Sequence, residues 1–284
     1  MSTPAPTPKE LFRFTGSSAS AYSRRVGGVT TSIAAYALTL LPPLSPNAKI
    51  LDNACGPGVL ISTLLAQYPG ARVDAVDNSA DMIAVVGEML KAEGWGGRVE
   101  AAVMDGCGLG FEEGMFDISV TNFGIALFPD AVKGAREIFR TLKAGGTAVV
   151  TSWKCVGWLP LLHEVQKAVR PTGMELFSMG GMAEWERKEK VVGVLVKGGF
   201  EEGNVRVEER ESVAWADGGV EGMVGTMEEN LGPMTKGWEE TEKKEVPNAL
   251  TKILTEQKER FLADEAGGRL GLKGFTAWIA IAKK

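Results

Sequence analysis

The chain has 284 residues, 44% of them apolar and 24% charged, with a net charge of −5 and an isoelectric point near 5.3. No stretch approaches the ~18 consecutive apolar residues of a membrane span, and the acidic balance gives no footprint for nucleic acid, which is bound by neutralising phosphates with Lys and Arg. Cys55, Cys107 and Cys155 are odd in number and lack C-x-x-C spacing, which argues against a disulfide framework and a zinc site.

Residues 1–16 open with a Pro-, Ser- and Thr-rich stretch that has no basic start followed by an apolar segment, so they read as a disordered tail and not a secretory signal. A cytoplasmic location is expected. Residues 17–44 carry Ala, Tyr, Val, Ile and Leu at helical spacing up to Pro42-Pro43, which predicts one or two helices forming an N-terminal lid. From 45 to 216 strands and helices alternate with short connections, the pattern of a parallel sheet covered on both faces. The first strand, Ile50-Leu51-Asp52, runs into Asn53-Ala54-Cys55-Gly56-Pro57-Gly58, and Val59 to Gln67 follows as a helix. Glycine at 56 and 58 suits a turn where the backbone bends sharply and approaches a ligand.

Arg72 to Asp77, Arg98 to Asp105, Phe116 to Thr121 and Gly145 to Trp153 read as four more strands, the last after a helix ending near Lys143. Asp52, Asp77, Asp105 and Asn122 fall at strand C-terminal ends, where open α/β sheets bind ligands. The segment 155–198 reads as two helices, Leu159 to Val169 and Met182 to Gly198, and Glu202 to Trp215 as a half-solvated strand. Residues 217–268 form a helical insertion, expected to be a substrate cap. Its Met223, Met227, Met234 and Trp238 are plain core or adaptable ligand contacts, and Glu239 to Lys244 is a solvated surface. Residues 269–284 supply a closing strand with Phe275, Ala277, Ile279 and Ile281 on one face.

The glycine turn narrows the ligand. A dinucleotide fingerprint needs glycine at position 61, which is Ile61, and an acid at Asp52 repels a pyrophosphate while it attracts an ammonium group. Asp52-x-Ala54-x-Gly56-x-Gly58 resembles the first motif, D/E-x-G-x-G-x-G, of class I S-adenosylmethionine (SAM) methyltransferases, with Ala54 in place of the first glycine. Over about Lys49 to Trp153 the spacing is similar to that family's, and the wording around Leu51 to Gly58 looks like small-molecule methyltransferases of fungal secondary metabolism and of the ubiquinone and menaquinone type.

The resemblance implies a Rossmann-like, seven-stranded, mostly parallel sheet with helices on both faces and an antiparallel last strand, pairing with Glu202 to Trp215 at the edge. It implies SAM as cofactor and S-adenosylhomocysteine as product, with Asp77 on the ribose and Asp105-Gly106 on the adenine. Asn122 and Phe123 would face the methyl donor, Tyr22 the methionine end, and Asp52, Asn53, Ala54, Gly56, Gly58, Asn78 and Met82 the rest of the cofactor. Read without the resemblance, Asp77 and Asp105 are also helix caps or turn formers.

Methyl transfer from a sulfonium chiefly requires an aligned nucleophile and excluded water, for which aromatic walls such as Phe123 or Trp153 are suitable. His163, the single histidine, is either a packed helix residue or a general base, and Glu228 or Glu229 would serve equally. No paired His/Asp spacing suggests a metal. The expectation is a methyltransferase acting on O, S or N of a small molecule, without nucleic-acid or membrane partners. The alternatives are a SAM-binding enzyme of the same fold that isomerises or cyclises its substrate, and a non-catalytic SAM-binding module.

Overall fold

The computed structural model describes residues 17–170, 173–264 and 268–284, without the side chains of 17–27 and of Pro233. The expected tail, 1–16, lies outside the described residues. Two compact units emerge: one runs from the first helix to Lys154 and includes Glu184–Arg210 and Ala277–Lys284, the other comprises Cys155–Ala183 and Glu211–Thr276.

The first unit is built on strands β1 (Lys49–Asn53), β2 (Arg72–Asp77), β3 (Val99–Val103), β4 (Phe116–Thr121) and β5 (Leu142–Cys155). Pairing of β1 with β2 and β4, β2 with β3 and β4 with β5 is parallel. Helices α1 (Ser17–Thr39), α2 (Ile61–Gln67), α3 (Ala80–Glu93) and α4 (Ala131–Thr141) make the connections. Residues 17–39 form one helix, whose Ile33, Ala34, Ala37 and Leu38 share a core with Ile50, Leu60, Ile61, Leu64, Val73 and Ile118. Burying each of the isoleucine, leucine and valine side chains among these stabilises the fold by roughly 1.5–3 kcal/mol. Ser79 caps α3 by accepting from the Met82 amide, and Gly94 closes it in the left-handed conformation.

The remaining elements are α5 (Trp158–Val169), α6 (Lys188–Gly198), β6 (Val205–Asp217), α7 (Gly219–Leu231), α8 (Glu240–Glu256), β7 (Phe261–Ala263) and β8 (Arg269–Lys283). The sheet order is β3-β2-β1-β4-β5-β8-β6, with β7 antiparallel to β8. The sheet thus has eight strands where seven are expected, because the chain after α8 adds the short β7 to β8. Reciprocal hydrogen bonds between Lys284 and Gly145-Gly146 set the end of β8 beside the start of β5, so β8 runs against β5. A Gly218 to Gly268 bond likewise sets the end of β6 beside the start of β8.

Four boundaries differ from the sequence reading for local reasons. The helix after the glycine turn begins at Ile61, because residues up to Leu60 complete the turn. Helix α4 ends at Thr141, not near Lys143; Leu142 is already extended, and the strand bulges before Thr147 around Gly145, whose φ is +77°. The expected helix Met182 to Gly198 divides into a 3-10 stretch, Gly180–Glu186, and α6, separated by the extended Arg187. Residues 155–183 also group with the insertion and not with the sheet: Arg170 at the end of α5 pairs with Glu242 of α8 at 3.4 Å and stacks on Trp238.

Candidate nucleoside site at the strand ends

The site is assembled where β1 and β4 end. Beyond β1 the backbone turns through Ala54 (φ +59°), Gly56 (φ +55°) and Gly58 (φ +84°). A side chain at Gly58 would also meet Met89, Ile61 and Val86, whereas Gly56 has open space and is needed for its backbone angle alone. Asp77, at the end of β2, locks this turn: one carboxylate oxygen accepts the Gly56 amide at 2.9 Å and the other the Ser79 amide at 2.9 Å. One side chain therefore joins the turn to the head of α3.

Beyond β4, Phe123 is the second non-glycine residue with a left-handed backbone among those described, at φ +56°. Such angles cost of order 1–3 kcal/mol and persist only where the surroundings enforce them. Gly124 follows, and a Cβ on it would lie 2.5 Å from the Ala54 Cβ. Alanine at position 54 is thus tolerated because the facing loop gives way to glycine. The Phe123 ring stacks on Trp153 with centroids 3.9 Å apart and planes 19° from parallel.

Between these strand ends lies a small cleft lined by Thr30 of α1, Asp52, Ala54, Cys55, Gly56, Pro57, Val59, Leu60 and Asn122. No Lys or Arg is among them. Asp52 is 1% exposed and its Oδ2 has no hydrogen-bond partner. Burial, and then the neighbouring Asp77 carboxylate, push its pKa up to about 7. Burial raises Asp77 as well, against the amide hydrogen bonds that lower it. The Cys55 thiol is pushed well up by burial and by both aspartates, so it is an inert packing residue.

On the other side of β1, Asn53 is fully buried with both amide atoms unpartnered. Its Oδ1 would lie 2.9 Å from a Cβ on Gly106, and the Phe128 ring fills the remaining space there. Asp105 is exposed and accepts the Cys107 amide at 2.8 Å, forming a turn. Asn78 is exposed and Met82 buried.

The cleft unites Asp52, Ala54, Gly56 and Asn122 of the expected residues, with Asp77 behind the turn. Asn53, Gly58, Asn78, Met82, Asp105, Gly106 and Phe123 are not among its lining. Tyr22 lies on α1, and its side chain is outside the described residues. His163 belongs to the other unit, where its Nε2 meets the Phe177 carbonyl at 2.8 Å; a carbonyl only accepts, so Nε2 carries the proton. Glu228 and Glu229 are exposed, and Met223 and Met227 are buried. Among the described residues no cluster of ligands suits a metal, and no helix is long and apolar enough to cross a membrane.

Thr30 was missed by the motif reading, although its position one turn before Ile33 and Ala34 puts it on the buried face of α1.

The cleft is acidic, carries an unpartnered carboxylate oxygen and lies at the switch in strand order, where open α/β sheets bind their ligands. Residues 50–146 match the methyltransferase domain family. The methyltransferase tpcH of Aspergillus fumigatus is 28% identical over 172 residues, 57% of this chain and 60% of that protein. A demethylmenaquinone methyltransferase of Thermus thermophilus is 37% identical over 102 residues, 36% of this chain and 46% of that protein. The chain therefore spans less than two thirds of either relative's length. Phosphoethanolamine N-methyltransferase 2 of Haemonchus contortus, solved with S-adenosylhomocysteine and phosphomonomethylethanolamine, superposes with a TM-score of 0.59 at 19% identity, covering 97% of this chain and 59% of that one. That superposition shows the shared fold.

Proposed function

We propose that this protein is a SAM-dependent methyltransferase that transfers a methyl group to O, S or N of a small metabolite. The observation that carries the reading is the buried, unpartnered Asp52 oxygen in a cleft without cationic side chains. A carboxylate in that position is stabilised by a ligand ammonium and destabilised by phosphate. Asp77 serves by fixing the turn against which a nucleoside rests, with lone pairs left to accept ribose hydroxyls. Asp105 is the proposed adenine-side acid, and Asn53 a buried amide with hydrogen bonds to offer.

SAM supplies an activated methyl group, and the chain's work is alignment and exclusion of water, which contribute about 7–11 kcal/mol in well-oriented reactions. The stacked Phe123 and Trp153 give an apolar pair next to Asn122, outside the cleft lining, of a kind suited to a sulfonium that loses its charge in the transition state. His163 is given no part in proton transfer, since its Nε2 is engaged with the Phe177 carbonyl. A small metabolite as acceptor is supported by the chain's acidity, and a reducing, cytoplasmic setting by the odd number of its cysteines and their lack of C-x-x-C spacing.

Calorimetric titration with SAM, S-adenosylhomocysteine and NAD is the test. Micromolar binding of the two sulfur nucleotides and none of NAD is expected. Their failure to bind would reject the reading. A methyl mass gain on thiol, phenol or amine metabolites then separates methyl transfer from isomerisation.

A further inference from the structure

Strand β5 reaches the cleft without lining it. Thr151, 1% exposed, accepts the Phe123 amide at 2.8 Å and donates its single hydroxyl proton to Asn122 Oδ1 at 2.8 Å. Both bonds go to the loop after β4, and each has a separate consequence. The bond from the Phe123 amide holds a residue whose left-handed backbone would otherwise relax. The bond to Asn122 fixes which way that amide faces: with Oδ1 engaged, Nδ2 is turned toward the Thr30 carbonyl, 3.5 Å away, and both residues line the cleft.

Trp153 is two residues further along the same strand, on the same side, and holds the Phe123 ring by stacking. Position 123 is thus gripped at its amide and at its ring by alternate residues of one strand. Valine at 151 would keep the volume but supply neither bond, leaving the amide of Asn122 free to turn over.

We infer that Thr151 is a positioning residue of the nucleoside site: it presents the Asn122 amide as a hydrogen-bond donor to a ligand acceptor and maintains the strained Phe123 backbone beside it. This rests on the reading of the cleft as a SAM site. A carboxylate or hydroxyl of the bound nucleoside is the class of acceptor such a donor selects.

The experiment measures S-adenosylhomocysteine affinity by calorimetry for wild type, Thr151→Val, Thr151→Ser, Asn122→Ala and the Thr151→Val/Asn122→Ala double variant, with thermal unfolding of each. Thr151→Val is expected to weaken binding about tenfold, and Thr151→Ser to stay within about twofold of wild type. The double variant should lose clearly less than the sum of the two single losses, because the part of the Thr151 effect that runs through the Asn122 amide is already gone in Asn122→Ala. Additive losses, or equal binding by Thr151→Val and wild type, would overturn the inference while leaving the SAM reading intact. Absence of binding by wild type would overturn both. Should Thr151→Val not fold, failure of Thr151→Ser to retain affinity in a folded protein decides against it.

Discussion

The strand ends around the cleft and the helices of the second unit treat their polar groups in opposite ways. Around the strand ends, Asp52 in the cleft and Asn53 on the other side of β1 are buried with unpartnered atoms, and Ala54 and Phe123 hold left-handed backbones. In the helical unit the interior polar groups are matched. Gln166 accepts the Phe177 amide and donates to the Glu175 carbonyl, His163 donates to the Phe177 carbonyl, and Arg170 meets Glu242. Gln257 Oε1 is the exception among its described side chains. Unsatisfied polar groups and strain lower stability, so their concentration at one place marks where a ligand is awaited; a matched interior marks a scaffold.

That contrast breaks if the helical unit responds to substitution as a binding surface does. Met227 is 1% exposed. Met227→Ala should lower unfolding free energy by about 2–5 kcal/mol in denaturant titrations, yet leave S-adenosylhomocysteine affinity within about twofold. At the cleft the order reverses. Asp77→Ala removes the acceptor for both the Gly56 and Ser79 amides, and calorimetry should show affinity falling about a hundredfold, or ~2.7 kcal/mol.

Asp52 sharpens the comparison through pH. Its folded pKa, near 7, lies above the unfolded 3.8, so its contribution to stability is present below 3.8 and is lost as pH rises through about 7. Asp52→Asn should abolish that decline in urea titrations. A ligand ammonium needs the ionised form, so wild-type affinity should climb by up to about tenfold per unit from pH 5 to 7 and then level off. Asp52→Asn should bind about tenfold more weakly at pH 8, with a flat profile. The smallest effect is expected at His163. His163→Ala should cost ~1 kcal/mol of stability and leave turnover unchanged; lowered turnover at unchanged affinity would make His163 the base instead.

The parallel sheet and its glycine turn were legible because β1 to β4 are short, largely apolar runs that end in or lead into an acid or amide, and the turn needs glycine for its backbone angle. Asp77 was legible as an acid at a strand end, but its bonds to the amides of two separate segments were not, since they depend on where α3 begins. Thr151 carries no signal of its own in an apolar strand; its role exists only because β5 pairs with β4 in a register that sets Thr121 against Val150. The eighth strand is three residues long, too short for alternation to mark it. Residues 155–198 read as a helical segment of the core by adjacency in the chain, whereas the grouping of 155–183 with the insertion rests on contacts of α5 with α8, far along the sequence.

The Phe128 ring fills the space where side chains of both Gly106 and Gly134 would stand, and beside it lies the amide of Asn53. These positions are therefore tied by volume. In descendants of this sequence a smaller residue at 128 would open room for alanine at 106 or 134, while a side chain at either glycine would be admitted only after the ring had gone. Evolution at this place has a required order of steps.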